Sequence, residues 1–141
     1  MAIYLLKTEP NDYSYDDLKR DKRTHWDGVS NPAAQKFMRS IKKGDEAFIY
    51  HTGNEKRIAG LASIVKGAYP DPDHPGETAA GDPKRVLFDC AAKKEASESL
   101  TLADIKADPA FEGFELVRQP RLSVMEVPAK MAARIKKLAG L

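Results

Sequence analysis

Three short polar segments carry the side chains that could hold a ligand: residues 7–10 (KTEP), 26–31 (WDGVSN) and 50–52 (YHT). Trp26 is the only tryptophan, and its neighbours are polar residues instead of an apolar run. A flat aromatic face beside hydrogen-bonding groups suits a planar, polar ligand such as a nucleobase. We therefore predict that these segments form a base-binding pocket.

The predicted pocket draws on all three segments. Its residues are Lys7, Thr8, Glu9, Trp26, Gly28, Val29, Asn31, Tyr50, His51 and Thr52. Asparagine offers both a donor and an acceptor, which the edge of a base requires. We expect Lys7, Thr8 and Asn31 to contact that edge and Trp26 to stack on the face of the base.

Some of these residues also have a structural interpretation. Asn31 precedes Pro32, which is a typical helix start, so Asn31 is expected to cap a helix. Trp26 could anchor the core, Lys7 could extend to solvent, and Glu9 could pair with Lys7 or with a backbone amide.

Strand alternation and glycine chemistry limit the set further. Tyr50 and Thr52 share one face of a predicted strand and His51 lies on the other, so only one of these faces can line the pocket. His51 then has the alternative of a buried histidine with satisfied hydrogen bonds. Gly28 could serve the backbone conformation alone.

Positive charge is concentrated in one part of the chain. Residues 18–43 contain eight Lys or Arg against two Asp, although the whole chain has a net charge of only +2. A basic segment beside Trp26 suits a phosphate backbone, and the alternative is an ordinary solvated helix surface. The predicted phosphate contacts are Lys36, Arg39, Lys42, Lys43 and Arg121.

The sequence gives little support for catalysis. Its histidines, at positions 25, 51 and 74, lack metal-ligand spacing, and the lone Cys90 has no paired motif. There is no phosphate-binding glycine loop, nucleophile elbow or dinucleotide fingerprint. We predict neither a metal nor a cofactor. The enzymatic alternative is a small hydrolase acting on a modified nucleoside or amide, with Glu9, Lys7 or His51 as its acid–base group.

Composition indicates an ordinary globular protein: of the 141 residues, 42% are hydrophobic and 31% are charged. No stretch approaches the roughly 20 apolar residues that cross a bilayer, and no secretory signal is recognisable. A single cysteine fits a reducing compartment. We expect one domain over residues 1–141, a monomer, in the cytoplasm.

Apolar periodicity together with cap and turn residues predicts the element boundaries. Strands are predicted at residues 2–8, 45–52, 57–65 or beyond, 84–92, 115–117 and 122–127. Helices are predicted at residues 14–22, 31–44, 101–107 and 128–140, with an irregular link at 23–29 and a long loop at 70–83. This order is not a βαβ series, so it indicates an α+β fold with a curved, partly closed sheet.

The same motifs resemble the EVE domain family, within the PUA-like superfamily. The matching segments are Lys7–Pro10, Trp26–Asn31, Gly44–Asp45, Tyr50–Thr52, Ile58–Gly60, Tyr69–Asp71 and Arg121–Val124, and they span nearly the whole chain. The resemblance implies a PUA-like pseudo-barrel, a curved mixed sheet of about five or six strands with several short helices packed around it. Ser30 stands where the family usually has arginine, which removes a cation near the pocket. The 70–83 loop looks shorter than in many members.

The resemblance also implies a function. EVE domains are related to YTH domains, which hold a methylated adenine in an aromatic-lined pocket, and in bacteria they are often linked to defence against foreign DNA. We predict a nucleic-acid-binding module in which a modified base, flipped or single-stranded, enters a Trp-lined pocket at the mouth of the barrel. Its expected partners are DNA or RNA and a nuclease encoded elsewhere. A further alternative is an RNA-associated accessory protein that binds without base flipping.

Overall fold

The computed structural model describes all 141 residues. The strands are β1 (Ile3–Thr8), β2 (Arg23–Trp26), β3 (Glu46–His51), β4 (Arg57–Pro70), β5 (Val86–Glu95) and β6 (Val124–Glu126). The helices are α1 (Tyr15–Asp21), α2 (Pro32–Met38), α3 (Leu102–Ala107), α4 (Glu115–Arg118) and α5 (Ala129–Ala139), with a 3-10 turn at Pro109–Phe111. The predicted α+β class is confirmed.

All six strands belong to one mixed sheet in the order β2-β5-β4-β3-β1-β6. β1 pairs in parallel with β3, and the other neighbouring strands are antiparallel. Register shifts along β4 mark irregular pairing with both of its neighbours, and such irregularities bend a strand. β2 and β6 are free edges that do not pair with each other, so the curved sheet does not close into a barrel.

Helix α2 links the two ends of this open sheet. It packs against β6 at one end and against β5 near the other. The buried Gln35 adds two hydrogen bonds: its amide donates to the Val29 carbonyl at 2.7 Å, and its Oε1 accepts from the Val86 backbone N–H at 2.9 Å. Ala34 and Met38 are fully buried on the same helix. The position of α2 therefore fixes the segment that precedes it.

The predicted irregular link at residues 23–29 is wrong in its first half. Residues 23–26 form β2, which pairs with β5 from Arg23 opposite Ala91 to Trp26 opposite Phe88. Three of the four β2 residues are polar because an edge strand exposes much of its surface, so no apolar alternation marks it in the sequence.

Two other predicted boundaries also differ. Residues 115–118 are helical rather than a strand, because the Arg118 and Gln119 backbone N–H groups bond to carbonyls one turn earlier and no neighbouring strand is available. Helix α2 ends at Met38 instead of near Gly44. The chain then tightens into i→i−3 turns, which still bury Ile41.

One apolar core lies between the sheet and the helices. Leu5 and Leu6 of β1 and Phe48 of β3 are completely or almost completely buried in it, as is Ile135 of α5. None of the helices has the length and apolar content needed to cross a membrane.

Candidate ligand-binding cavity

A cavity of about 640 Å³ opens where β1 ends, next to β2 and the segment leading into α2. This volume is typical of sites for small organic ligands. Seven of the predicted pocket residues line it: Lys7, Thr8, Glu9, Trp26, Gly28, Val29 and Asn31. The structure thus brings the first two of the three polar segments together.

The end of β1 provides the cationic side of the cavity. The Lys7 ammonium donates to the Pro120 carbonyl at 2.9 Å and lies 5.9 Å from the centre of the Tyr50 ring. Partial burial lowers the pKa of Lys7 from its ordinary value. The backbone N–H of Lys7 donates to Ser123 at 2.9 Å, which places Ser123 at the cavity wall.

The loop after β1 forms a second wall. The Thr8 hydroxyl donates to the Tyr13 carbonyl at 2.6 Å, and Glu9 Oε1 accepts from the Asn11 backbone N–H at 3.0 Å. Tyr13 is half-buried, and its hydroxyl donates to Asp21 at 2.9 Å. Burial raises the pKa of the Tyr13 phenol, which therefore stays a neutral donor at physiological pH.

Trp26 belongs mainly to the core. Its ring stacks on Phe88 with centroids 6.4 Å apart and planes inclined by 16°, and Tyr13 approaches it edge-on at 6.4 Å. Only 8% of Trp26 is exposed. Because Phe88 occupies one side of the ring, Trp26 offers the cavity a small apolar surface rather than an open aromatic face.

Asn31 caps α2 and still borders the cavity. Its side-chain oxygen accepts from the Ala34 backbone N–H at 3.0 Å. The cap uses only this oxygen, so the two N–H donors of the amide are left for a ligand. Gly28 has φ +74°, a left-handed conformation that favours glycine over other residues.

The third polar segment, 50–52, does not line the cavity. Tyr50 is buried beneath Lys7, and the Thr52 backbone N–H donates to the Thr8 carbonyl at 2.9 Å. His51 is 4% exposed, and both ring nitrogens are engaged: Nε2 accepts from the Tyr15 N–H at 3.0 Å and Nδ1 bonds to Glu55 at 2.9 Å. These residues support the cavity walls, and His51 holds no free nitrogen for acid–base chemistry.

Carboxylates outnumber cations around the cavity. Glu9, Asp12 and Asp27 line it together with Lys7 and His25. His25 Nε2 lies 3.4 Å from the Asp27 carboxylate, and both side chains are exposed. Carboxylates accept hydrogen bonds, so this arrangement favours a ligand that presents N–H donors and also has an acceptor for Lys7.

The predicted phosphate contacts do not form one cluster beside the cavity. Arg121 borders a shallow groove beside the cavity, and Lys36 is exposed on α2. Arg39 donates to the Pro83 carbonyl at 3.2 Å. Lys42 is joined through Asp45 to Ala2, before the start of β1, so Lys42 and Lys43 lie about 16 Å along β1 from Lys7 at ~3.3 Å per residue.

Sequence reasoning missed seven lining residues. They are Asp12, Tyr13, Thr24, His25, Asp27, Ser30 and Ser123. Four of them, Thr24, His25, Asp27 and Ser30, lie in β2 or directly adjoin predicted residues, so recognising β2 as a strand would have pointed to them. Ser123 could be found only from the pairing of β6 with β1, which depends on the tertiary fold.

No group of three or more His, Cys, Asp or Glu side chains has the geometry of a metal site. Cys90 is fully buried, and burial raises the pKa of its thiol to about 12. It is therefore protonated and unreactive at neutral pH.

The fold and the site can now be compared with known protein families: the sheet is mixed and open, and a polar cavity lies at the end of its first strand. The EVE domain model matches residues 2–138, and the chain belongs to this family. Human thymocyte nuclear protein 1 is 35% identical over 124 residues, which cover 74% of this chain and 55% of the relative. The protein of the same name from Gallus gallus is 32% identical, over 73% of this chain and 51% of the relative. The chain spans about half the length of these relatives.

Solved structures share the fold over almost the entire chain. The NMR structure of a Rhodopseudomonas palustris protein has a TM-score of 0.88 at 36% identity and covers 99% of this chain and 94% of that one. The crystal structure of human THYN1 protein in complex with 5-methylcytosine containing DNA has a TM-score of 0.88 at 28% identity, covering 100% and 99%. A Zygosaccharomyces rouxii YTH domain, with a TM-score of 0.58 at 16% identity, covers 97% and 85% and is similar in fold alone.

Proposed function

We propose that this chain binds nucleic acid by accepting one modified base into the cavity at the end of β1. The composition of the cavity wall carries the proposal. Tyr13, Trp26 and Val29 supply apolar surface, while Lys7 and the nearby carboxylates supply an acceptor-rich polar rim. A nucleobase needs both kinds of surface, because its faces are apolar and its edge is polar.

The polar rim favours a base with an exocyclic amine. Glu9, Asp12 and Asp27 can accept from the amino group of cytosine or adenine, while Lys7 can donate to a ring nitrogen or carbonyl. The related human protein was crystallised with DNA that contains 5-methylcytosine, which supports cytosine as the first base to test.

A methyl mark on the base would pack against the apolar wall. Burying one methyl carbon contributes about 0.8 kcal/mol, which corresponds to roughly a fourfold preference for the modified base. A base extruded from a duplex costs a few kcal/mol, so a single-stranded or mismatched site should bind more tightly than a paired one. In this proposal the chain reads the mark as a cytoplasmic monomer, and any cleavage belongs to a nuclease encoded elsewhere.

Fluorescence anisotropy with labelled oligonucleotides tests this function. The strands would contain 5-methylcytosine, N6-methyladenine or only unmodified bases. Ser30→Trp places a bulky side chain on the cavity wall, and Ser40→Trp adds the same side chain outside the cavity. We expect the wild type and Ser40→Trp to prefer a modified strand and Ser30→Trp to lose that preference. Equal binding of all strands by the wild type, or a preference retained in Ser30→Trp, would contradict the proposal.

A further inference from the structure

A shallow groove adjoins the cavity on the side of α2. It is lined by Asn31, Ala33, Gln119, Pro120, Arg121 and Leu122, and its volume is about 270 Å³. Asn31 borders both the groove and the cavity. Two concave sites that share a residue can hold consecutive parts of one ligand.

The wall between the two sites is attached to the end of β1. The Lys7 ammonium donates to the Pro120 carbonyl at 2.9 Å, and the Lys7 backbone N–H donates to the Ser123 carbonyl at 2.9 Å. Ser123 lines the cavity, whereas Arg121 lines the groove. Lys7 thus bonds to both ends of the segment 120–123, which separates the two sites. The groove therefore keeps a fixed position relative to the cavity.

Charge differs between the two sides of the cavity. On the side of β2 and the loop after β1, Asp12 and Asp27 are exposed carboxylates that would repel a phosphate. On the groove side, Arg121 is exposed. The carboxylate of the preceding helix, Glu115, is engaged by Gln119 and lies 4.0 Å from Arg118. A polyanionic strand therefore meets less repulsion along the groove.

We propose that the groove binds the nucleotide adjacent to the one whose base occupies the cavity, with Arg121 contacting the phosphate between them. This inference rests on the proposed function and adds a direction for the bound strand. The strand leaves the cavity past Asn31 toward α2. Lys36 lies three residues after Ala33 on the same helix, so it continues the cationic path.

A length series of ligands tests the groove. The probes are the nucleoside 5-methyl-2′-deoxycytidine, the two dinucleotides that carry 5-methylcytosine at the 5′ or the 3′ position, and a 5-methylcytosine decamer. Binding is measured by NMR titration for the short probes and by anisotropy for the decamer. We expect one of the dinucleotides to bind more tightly than the nucleoside, and its identity gives the polarity of the strand.

Variants of the groove separate its role from that of the cavity. The gain is the affinity of the tighter-binding dinucleotide relative to the nucleoside. Arg121→Ala should lose most of this gain, which lowers dinucleotide affinity about fivefold at 0.1 M salt. It should also reduce the salt slope of decamer binding by about 0.7. Nucleoside affinity should not change, and Arg121→Lys should retain most of the gain. Ala33→Asp places a carboxylate in the groove at a first-turn position that favours acidic residues, so α2 is preserved while the gain is lost. Lys130→Ala is the matched control: Lys130 is exposed on α5, which follows Val127, and the Val127 N–H donates to the Ile3 carbonyl at the other end of β1.

The groove inference and the base inference fail in different ways. If the wild type binds the modified nucleoside but neither dinucleotide binds more tightly, the groove inference is wrong and the cavity remains. The same holds if Arg121→Ala and Ala33→Asp leave the gain intact. If no 5-methylcytosine probe binds better than the same probe with unmodified cytosine, the groove inference fails. The base proposal fails with it if the N6-methyladenine strand also binds no more tightly than the unmodified strand.

Discussion

The Nε2 atom of His51 accepts a hydrogen bond from the backbone N–H of Tyr15 at 3.0 Å. The other ring nitrogen bonds to Glu55 at 2.9 Å, so a neutral ring carries its proton on Nδ1 and donates it to that carboxylate. The bond to Tyr15 joins the end of β3 to the start of α1, directly after the loop that lines the cavity. His51 therefore acts on the cavity through the backbone of this loop.

Replacing His51 tests this relationship. His51→Ala leaves the N–H of the buried Tyr15 without its acceptor, which should lower the free energy of unfolding by about 1–3 kcal/mol. His51→Gln keeps a side-chain oxygen near the position of Nε2 and should recover part of the loss. Urea denaturation followed by far-UV circular dichroism measures both variants. Identical stability of the alanine variant and the wild type would show that the bond contributes nothing.

Gln35 does not line the cavity, but its hydrogen bonds should hold the cavity wall in place. Gln35→Leu has a similar volume but leaves the Val29 carbonyl and the Val86 N–H without partners. We expect it to lower the free energy of unfolding by at least about 1 kcal/mol for each orphaned group. It should also weaken binding, since Val29 lines the cavity. Gln35→Glu keeps an acceptor for the Val86 N–H but loses the donor to the Val29 carbonyl, so it measures the Val29 bond alone. Wild-type stability in Gln35→Leu would contradict this role.

The parts of the fold that could be predicted from the sequence are those set by residues adjacent in the chain. The pairs Ser14/Asp17 and Thr101/Asp104 form capping boxes, and Asn31 caps α2, so these helix starts were predictable from neighbouring residues alone. β2 has no such signal. It is a strand because β5 offers a pairing edge, which is a property of the tertiary structure.

The same distinction applies to the cavity. Lys7 and Thr8 could be placed at a strand end from the apolar run that precedes them. The stacking of Trp26 on Phe88 could not be predicted from the sequence, because β5 is distant in sequence from β2. Polar neighbours along the chain made Trp26 look accessible, whereas its neighbours in space are largely apolar.

Trp26 should therefore behave as a core residue in stability measurements. Trp26→Ala removes a ring that is 8% exposed and stacked on Phe88, and it should lower the free energy of unfolding by about 3–5 kcal/mol. Trp26→Phe keeps an aromatic ring and should cost less. Chemical denaturation of both variants checks the order. A loss below about 1 kcal/mol in Trp26→Ala would show that the ring contributes little to the core.

Cys90 makes stability depend on alkaline pH. Burial raises the pKa of its thiol from 9.0 to about 12. Between these values the unfolded chain has released the proton and the folded chain retains it, so stability is complete below pH 9 and falls as pH rises. At pH 10 the loss from this group is about 1.4 kcal/mol. Urea unfolding at pH 7 and pH 10 should show this extra loss in the wild type but not in Cys90→Ala. The buried tyrosines titrate in both proteins and cancel in the comparison, so equal losses would contradict the assignment to Cys90.

Ser30 allows a gain-of-function test of the cavity rim. The side chain is exposed beside Asn31, at the position where the family pattern has arginine. Ser30→Arg adds a cation next to the cavity, so we expect tighter binding of a 5-methylcytosine oligonucleotide and a salt slope steeper by about 0.7. Ser40→Arg adds the same charge after the end of α2 and controls for the change in net charge. If both variants bind equally tightly, the gain comes from overall charge, since a cation at the rim should act only when it is close to the bound phosphate.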